Sequence, residues 1–333
     1  HRLYKNDGKG NFTEAISTFP VNTMNISVTV ANDYDNDGDN DLFIGGRNVP
    51  MSYGTAASSS LLMNDGNGKF TDITTAVIPA LNNIGMVTSA NWADVNGDKQ
   101  KELIVAGEWM APAIFTYRNN KFEKLSTRMD DLTGWWKSVA VADLDGDGDN
   151  DLVLGNCGEN FYLSPIADKP VKLWVNDFDQ NGTADKIITR TVDNKDVPVF
   201  LKRELTEQLP SLKKQNLKYT DYAAKSIQQL FSKEAINKSE VRTFTYASSC
   251  IAINDGKGNF TVQALPPMVQ LSSVHAIHCT DINSDGKLDL LMGGNDFTFL
   301  PQFSRMDASF GHVLINKGEA SFEWLPSKES GLF

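Results

Sequence analysis

The chain has 333 residues, 41% of them hydrophobic, and its 31 basic and 42 acidic residues give a formal charge of −11; this is ample for a sizeable core and excludes a disordered chain. The negative balance argues against a nucleic-acid backbone or an anionic membrane surface as partner, makes cations the natural guests, and no run approaches the roughly 18 apolar residues of a membrane span. Three scattered cysteines (Cys157, Cys250, Cys279) form neither a disulfide framework nor a CxxC metal pair and read as small buried hydrophobes.

The chain opens on HRLYKNDGKGNF with no leader-like segment, as expected of a piece of a longer protein. Its first predicted element is a hairpin. NDGKGNF at 6–12 returns as NDGNGKF at 64–70 and NDGKGNF at 254–260, with worn copies RNNKF at 118–122 and NKGEASF at 316–322. Asn-Asp-Gly followed by a second glycine supplies the positive φ angles of a tight turn, and the closing Phe anchors the next strand. Between these turns lie acidic loops: DYDNDGDND at 33–41, DVNGDKQKE at 94–102, DLDGDGDND at 143–151, DFDQNGTAD at 177–185 and DINSDGKLD at 281–289. Each keeps a side-chain oxygen at positions 1, 3, 5 and 9, follows an apolar or alternating run such as SVTVAN or SVAVA, and precedes a β-type run such as LFIGG or LVLG. The repeat is strand, acidic loop, strand. Two hairpins per repeat predict four-stranded antiparallel units. Loop spacings of 61, 49, 34 and 104 residues predict modules of roughly 40 to 60 residues with insertions, the period of β-propeller blades, six or seven to a ring. Between 203 and 241 the period turns helical: Ala223, Ile227, Leu230 and Ala235 fall near one face behind a Thr220–Asp221 N-cap, predicting a helical insertion in one blade.

Carboxylates at two-residue spacing repel one another by several kcal/mol at intermediate dielectric, so the loops call for a counter-ion. Oxygen ligands at positions 1, 3 and 5, a glycine at the sharp turn and a carboxylate at position 9 suit calcium; magnesium prefers a tighter octahedral site that keeps its water, and zinc would want His or Cys. Flanking strands and a loop closed at position 9 exclude an EF-hand, the scarcity of cysteine excludes thrombospondin-type repeats, and the wide spacing excludes a tandem β-roll.

These loops and their flanks resemble the FG-GAP/VCBS repeat family, whose blades carry DxDxDGxxD calcium loops in a propeller like that of integrin α subunits. More narrowly, GWWKSVAVADLDGDGDNDLVLGN at 134–156, QLPSLKKQ at 208–215 and SRMDASFGHVLINKG at 304–318 look like bacterial proteins related to cartilage acidic protein, which usually carry a further ASPIC/UnbV domain. The resemblance implies ligands Asp33, Asp35, Asp37 and Asp41, with Asp39 giving its carbonyl; Asp143, Asp145, Asp147 and Asp151, with Asp149 in the same place; and Asp281, Asn283, Asp285 and Asp289. Two loops depart from the motif, one with Gly97 at position 4 and Gln100 at position 7, the other with Asn181 at position 5. They offer Asp94, Asn96, Asp98 and Glu102, and Asp177, Asp179, Asn181 and Asp185, as weaker or empty sites. Three to five Ca²⁺ are expected, and five would offset most of the net charge.

No GxSxG, HExxH or P-loop occurs. His275 and His278 sit at i, i+3 in a predicted strand and point to opposite faces, so no enzyme is expected. Trp135 and Trp136 precede an inner strand, with Trp92, Trp109 and Trp174 in comparable places; such rings pack between blades or stack on a ligand. Asn160, Asn295, Arg305 and Asp307 lie in irregular loops after strand ends, where ligand contacts gather. The expected protein is an extracellular or cell-surface, calcium-binding, monomeric all-β propeller acting as a recognition or adhesion module for a protein or glycan. A carbohydrate-active enzyme or its accessory, with ligand at the channel mouth, and a structural spacer are the alternatives.

Overall fold

The computed structural model describes residues 2–215, 218–298 and 305–332; positions 216 and 217 of the helical insertion and 299–304 of the last irregular loop lie outside it. The chain is all-β, built from antiparallel four-stranded sheets with few helices. Strands β1 (Leu3–Asn6) and β2 (Phe12–Ala15) form a separate hairpin. The first sheet runs β3 (Asn25–Asn32), β4 (Asp41–Asn48), β5 (Ser60–Asn64), β6 (Phe70–Asp72), followed by α1 (Thr74–Val77). The second runs β7 (Met86–Ala93), β8 (Glu102–Met110), β9 (Ala113–Arg118), β10 (Lys121–Leu125), with two residues of β11 (Gly134–Trp135) also paired to β8.

The third sheet starts with β12 (Ser138–Ala142) and β13 (Asp151–Gly155), and here the chain leaves it. It builds β14 (Val171–Asn176), β15 (Asp185–Val192) and β16 (Lys195–Pro198), then the helices α2 (Lys202–Gln208), α3 (Ser211–Gln215), α4 (Tyr219–Ala223), α5 (Ile227–Leu230) and α6 (Lys233–Lys238), and β17 (Glu240–Phe244). Only then does it return to complete the third sheet with β18 (Cys250–Asn254) and β19 (Phe260–Ala264). The fourth sheet runs β20 (Ala276–Thr280), β21 (Asp289–Gly293), β22 (His312–Asn316), β23 (Phe322–Leu325), before α7 (Ser327–Ser330).

The two turn motifs take fixed places. Acidic loops join the first and second strands of all five sheets, and the glycine turns join the third and fourth of the other four. Gly66 and Gly68 sit at φ +75° and +85°, and in the worn copy Asn119 and Asn120 take the left-handed angles instead, at +52° and +61°.

Equal repeats in a row are not what the chain forms. The sheet carrying the 177–185 loop lies inside the third one, and its order is β16-β15-β14-β17, with its last strand added beside its first. The reason is length: five helices separate β16 from β17, so no tight turn forces them together.

Side-chain alternation stacks the sheets. On β8, Leu103 and Val105 face the first sheet while Ile104 and Ala106 face the third; on β13, Leu152 and Leu154 face the second and Val153 the fourth. Strands buried on both faces read as continuous apolar runs. The first strands β3, β7, β12 and β20 lie side by side in that order, stepped together by hydroxyls: Ser27 Oγ donates to Val87 O at 2.6 Å, Thr88 Oγ1 to Trp136 O at 2.8 Å, and Ser138 Oγ to Val274 O at 2.9 Å.

The inserted sheet is covered on both sides. Val171, Leu173 and Val175 pack on Trp109 and Trp135, while Trp174 and Ile187 meet Leu205, Leu209, Leu212, Tyr222, Ile227 and Leu230 of the helices. Trp174 therefore stands under the helices and not beside an inner strand. The helices also differ from the single predicted face. α4 begins at Tyr219, which places Thr220 and Asp221 inside it, and Ala223 is exposed; the side-chain cap is made further on, where Ser232 Oγ accepts from Ala235 N at 3.2 Å.

Ile104 has no exposed surface and fills the gap between the second and third sheets. Ile104→Ala is expected to lower stability by about 2–5 kcal/mol in urea unfolding, whereas Met51→Ala, at a side chain 98% exposed, should stay within about 0.5 kcal/mol.

Candidate functional site

The acidic loops share one internal wiring. The position-1 carboxylate folds the turn by accepting backbone N–H groups: Asp33 from Asp37 and Gly38 at 3.1 and 3.0 Å, Asp143 from Gly146 and Gly148 at 2.8 and 3.1 Å, and Asp177 from Asn181 and Gly182 at 2.9 and 2.8 Å. Asp94 and Asp281 do the same in their loops. The position-9 carboxylate ties the loop to the third strand: Asp151 accepts from Leu144 N and Asn254 N, both at 2.8 Å, and Asp289 from Ile282 N and Asn316 N at 2.9 and 2.8 Å. In the third and fourth sheets the asparagine that opens the glycine turn then crosses to the preceding sheet, Asn254 Nδ2 to Val95 O at 2.9 Å and Asn316 Nδ2 to Leu144 O at 2.7 Å, while Asn64 Nδ2 stays in its own sheet on Asn40 O at 3.1 Å.

Three loops gather carboxylates closely enough to share a cation. Ligand atoms of Asp33, Asp35 and Asp37, of Asp143, Asp145 and Asp151, and of Asp177, Asp179 and Asp185 lie within 4.8 Å of one another in each set. Oxygens in the same loops are buried without a hydrogen-bond partner: Asp35 Oδ1, Asp39 Oδ1, Asp41 Oδ2, Asp149 Oδ1 and Asp179 Oδ1. Such orphans are costly, and a hard cation would satisfy them. Burial first, and neighbouring carboxylates second, push Asp41, Asp149 and Asp151 up to about 6. The donor set fits Ca²⁺.

The other two loops are partly closed by their own side chains. Asn96 Nδ2 donates to Glu102 Oε1 at 2.7 Å, and burial raises Glu102 to about 7. In the last loop Asn283 Nδ2 and Lys287 Nζ both reach Asp285 Oδ2, at 3.2 and 3.5 Å. The expectation of weakness at 94–102 and 177–185 thus divides: Asp177, Asp179 and Asp185 converge while Asp94, Asp98 and Glu102 do not, and in the last loop, expected to be a full site, Asp281, Asp285 and Asp289 do not converge either.

At the opposite ends of the same hairpins lies a second constellation. Near the end of the second strand of each stacked sheet, or just past it, glycine is followed by a polar residue: Gly46–Arg47, Gly107–Glu108, Gly155–Asn156 and Gly294–Asn295. The glycines permit close approach, since a Cβ on Gly107 would lie 2.3 Å from Met86 O and one on Gly155 2.4 Å from Val274 O. Arg47, Glu108 and Asn295 border a central cavity, where Lys137 and Asp296 join them, whereas Asn156 turns away to Trp135 N and Tyr246 O. Lys137 Nζ sits 2.7 Å from Glu108 Oε1 and 3.5 Å from Asp296 Oδ2, Arg47 Nη2 lies 2.9 Å from Glu108 Oε1, and Tyr53 OH donates to Glu108 Oε2 at 3.1 Å. Burial alone would raise Glu108, but Lys137 and Arg47 outweigh it and hold the carboxyl below its usual range; Lys137 is held above its own for the converse reason. The network floors a cavity of about 850 Å³, walled elsewhere by Phe161, Leu163, Ile188, Val199, Phe200 and Phe297.

The residues expected to touch a ligand separate here. Trp135 borders the cavity but lies flat on Phe244, centroids 4.6 Å apart, and meets Trp109 edge-on. Trp136 is fully buried on the other side, stacked on Tyr246 with Nε1 donating to Leu132 O at 3.1 Å, since consecutive strand residues face opposite ways; it is core and not a ligand contact. Asn295 borders the cavity while clamping Ser309. Asn160, Arg305 and Asp307 are exposed and absent from the described cavity wall. Arg47, Glu108, Lys137, His275 and Asp296 were not foreseen; the glycine–polar step in GGRN, AGEW and GGND was the available signal for three of them, and Lys137 and His275 carry none.

Residues 33–105 and 94–154 each match the model of the FG-GAP-like repeat, which supports the FG-GAP repeat family for this chain. No curated protein matches it. Among solved structures it is similar to an Agrocybe aegerita lectin described for specific recognition of non-reducing terminal N-acetylglucosamine, at 17% identity and a TM-score of 0.35, over 97% of this chain and 72% of that one; a superposition so loose does not equate the two. Among the described residues no helix is long and apolar enough to cross a membrane.

Removing one member of the central network should leave its partners charged, buried and unpaired. Lys137→Met is expected to cost about 3–5 kcal/mol in chemical denaturation. With Glu108 held below its ordinary value, its contribution is present above the ordinary carboxylate range and fades as pH falls through the folded-state value; Glu108→Gln should flatten that acid limb when stability is measured from about pH 7 to about pH 3.

Proposed function

We propose that the chain is a calcium-binding recognition module of the β-propeller type, its four stacked sheets being consecutive blades of a six- or seven-bladed ring and its calcium mainly structural. The observation that carries this reading is the convergence of three aspartate sets with orphaned buried oxygens at equivalent turns. Asp33, Asp35 and Asp37, with Asp143, Asp145 and Asp151 and with Asp177, Asp179 and Asp185, would hold the ions; calcium supplies the positive charge that lets these turns close. Face-to-face stacking supports the propeller, as does Leu291, 39% exposed on the fourth sheet's outward face where a further blade would pack.

The matched FG-GAP-like repeats support an extracellular or cell-surface setting, where millimolar calcium fills even modest sites, and a protein or glycan as partner. The narrower likeness to bacterial relatives of cartilage acidic protein belongs to the same reading. Glu108, the most buried carboxylate of the cavity, is ion-paired and held below its ordinary range, the reverse of a general acid, whose value must be raised.

Isothermal titration of chelator-stripped protein should find three to five Ca²⁺, with a parallel rise in melting temperature. Each loop filled at about a hundredfold over its Kd adds about 2.7 kcal/mol. Asp145→Asn should remove one ion from the count. Absence of any stabilising ion would sink the calcium reading, and release of product from a glycan would replace the binding module with an enzyme.

A further inference from the structure

We infer that the central cavity binds a neutral sugar ring, a saccharide end held by a polar wall and an aromatic side chain. This rests on the reading of the chain as a recognition module and commits that module to a site and a ligand class. Its volume of about 850 Å³ falls within the roughly 300–1,000 Å³ of small-ligand sites, suited to a few rings rather than a protein surface.

The polar wall has hydrogen-bonding capacity left over, of both kinds. Arg47 is about a third exposed, its side chain at 36%, and uses Nη2 on Glu108, leaving other guanidinium donors. Asp296 commits Oδ1 to Thr298, while Oδ2 has only the 3.5 Å approach of Lys137 among the described contacts. His275, whose ring burial and the nearby Lys137 keep neutral, carries one donor and one acceptor nitrogen. Two cations, Arg47 and Lys137, balance two carboxylates, Glu108 and Asp296. A wall without net charge favours neither an anion nor a cation. Hydroxyl groups, which donate and accept at once, match it.

The rest of the lining is largely apolar, and Phe297, next in the chain to Asp296, leaves 62% of its surface uncovered beside the space. A phenyl face there is free to cover the C–H face of a pyranose while the ring hydroxyls reach Arg47 and Asp296. Trp135 does not serve as that platform, because Phe244 occupies its face.

The test is a glycan array carrying neutral and acidic saccharides, followed by titration calorimetry of the strongest binder on the calcium-loaded chain and on Phe297→Ala and His275→Ala. Phe297 is 62% exposed and His275 sits with its ring partly covered at the cavity edge, so the melting temperature of Phe297→Ala should match the parent and that of His275→Ala should stay close to it. The expected result is binding of a neutral saccharide, weakened about tenfold or more, or about 1.4 kcal/mol, in each variant. Binding confined to acidic saccharides, binding of peptides in a parallel array without saccharides, no binding at all, or saccharide affinity unchanged in both variants would each overturn the assignment. Calcium stabilisation recorded on the same sample keeps the two readings apart: its presence without saccharide binding removes only the sugar site, and its absence removes the calcium reading.

Discussion

Everything at the centre of this molecule hangs on four charges brought together beside one cavity, three of them almost wholly buried. Arg47 comes from the first sheet, Glu108 from the second, Lys137 from just before the third and Asp296 from just after the second strand of the fourth, and their contacts close within 3.5 Å. Taking such groups out of water is costly, and the attraction between them offsets that cost only when the geometry is good and the remaining polar atoms are served. Here Tyr53 and Thr298 supply the missing hydrogen bonds. Apolar faces of similar width could slide past one another; a charge that must meet its partner cannot. The network therefore acts on how the sheets are set relative to each other, while the leucine and valine layers between them supply most of the cohesion.

The same hairpins carry two specialised ends. The pair β3 and β4 turns through Asp33–Asp41 at one end and holds Ser27 and Arg47 at the other, and β7 with β8 repeats this with Asp94–Glu102 and with Thr88 and Glu108. Ion-type chemistry and cavity chemistry are separated by the length of a strand, on elements buried on both faces. A rigid ladder between two polar ends is how a scaffold keeps a binding surface in place while its loops differ.

Much of this was legible in the residues. The two turn signatures located four of the five sheets and the order of strands inside them, because Asp at alternate positions and Asn-Asp-Gly each encode a local backbone path. The apolar runs such as LIVAG identified strands buried twice. What was not legible is whatever depends on partners far along the chain. The placement of the 177–185 loop in an inserted sheet follows from β13 pairing with β18, and no local pattern announces that. The helices illustrate the same limit: period alone suggested one amphipathic face, but Pro210 and successive serine starts divide the segment into short pieces that pack on Trp174. The central charges escaped notice because each is a lone charged residue near a strand end, two of them directly after a glycine, and only the stacking makes four of them a group.

The inserted sheet leaves and rejoins its host at adjoining points. Asn156 N donates to Ser249 Oγ at 3.0 Å, and Gly158 N to Ala247 O at 2.9 Å, so the strands on either side of the excursion are already neighbours. During synthesis the first two sheets can close as they emerge, because each is contiguous in the chain. The third must keep the free edge of β13 exposed while the whole excursion is made and Cys250 finally arrives opposite Leu154. An unpaired edge of apolar residues is the state most open to pairing with another chain, and the excursion, with a helical core of its own, is positioned to fold early and draw the two ends together.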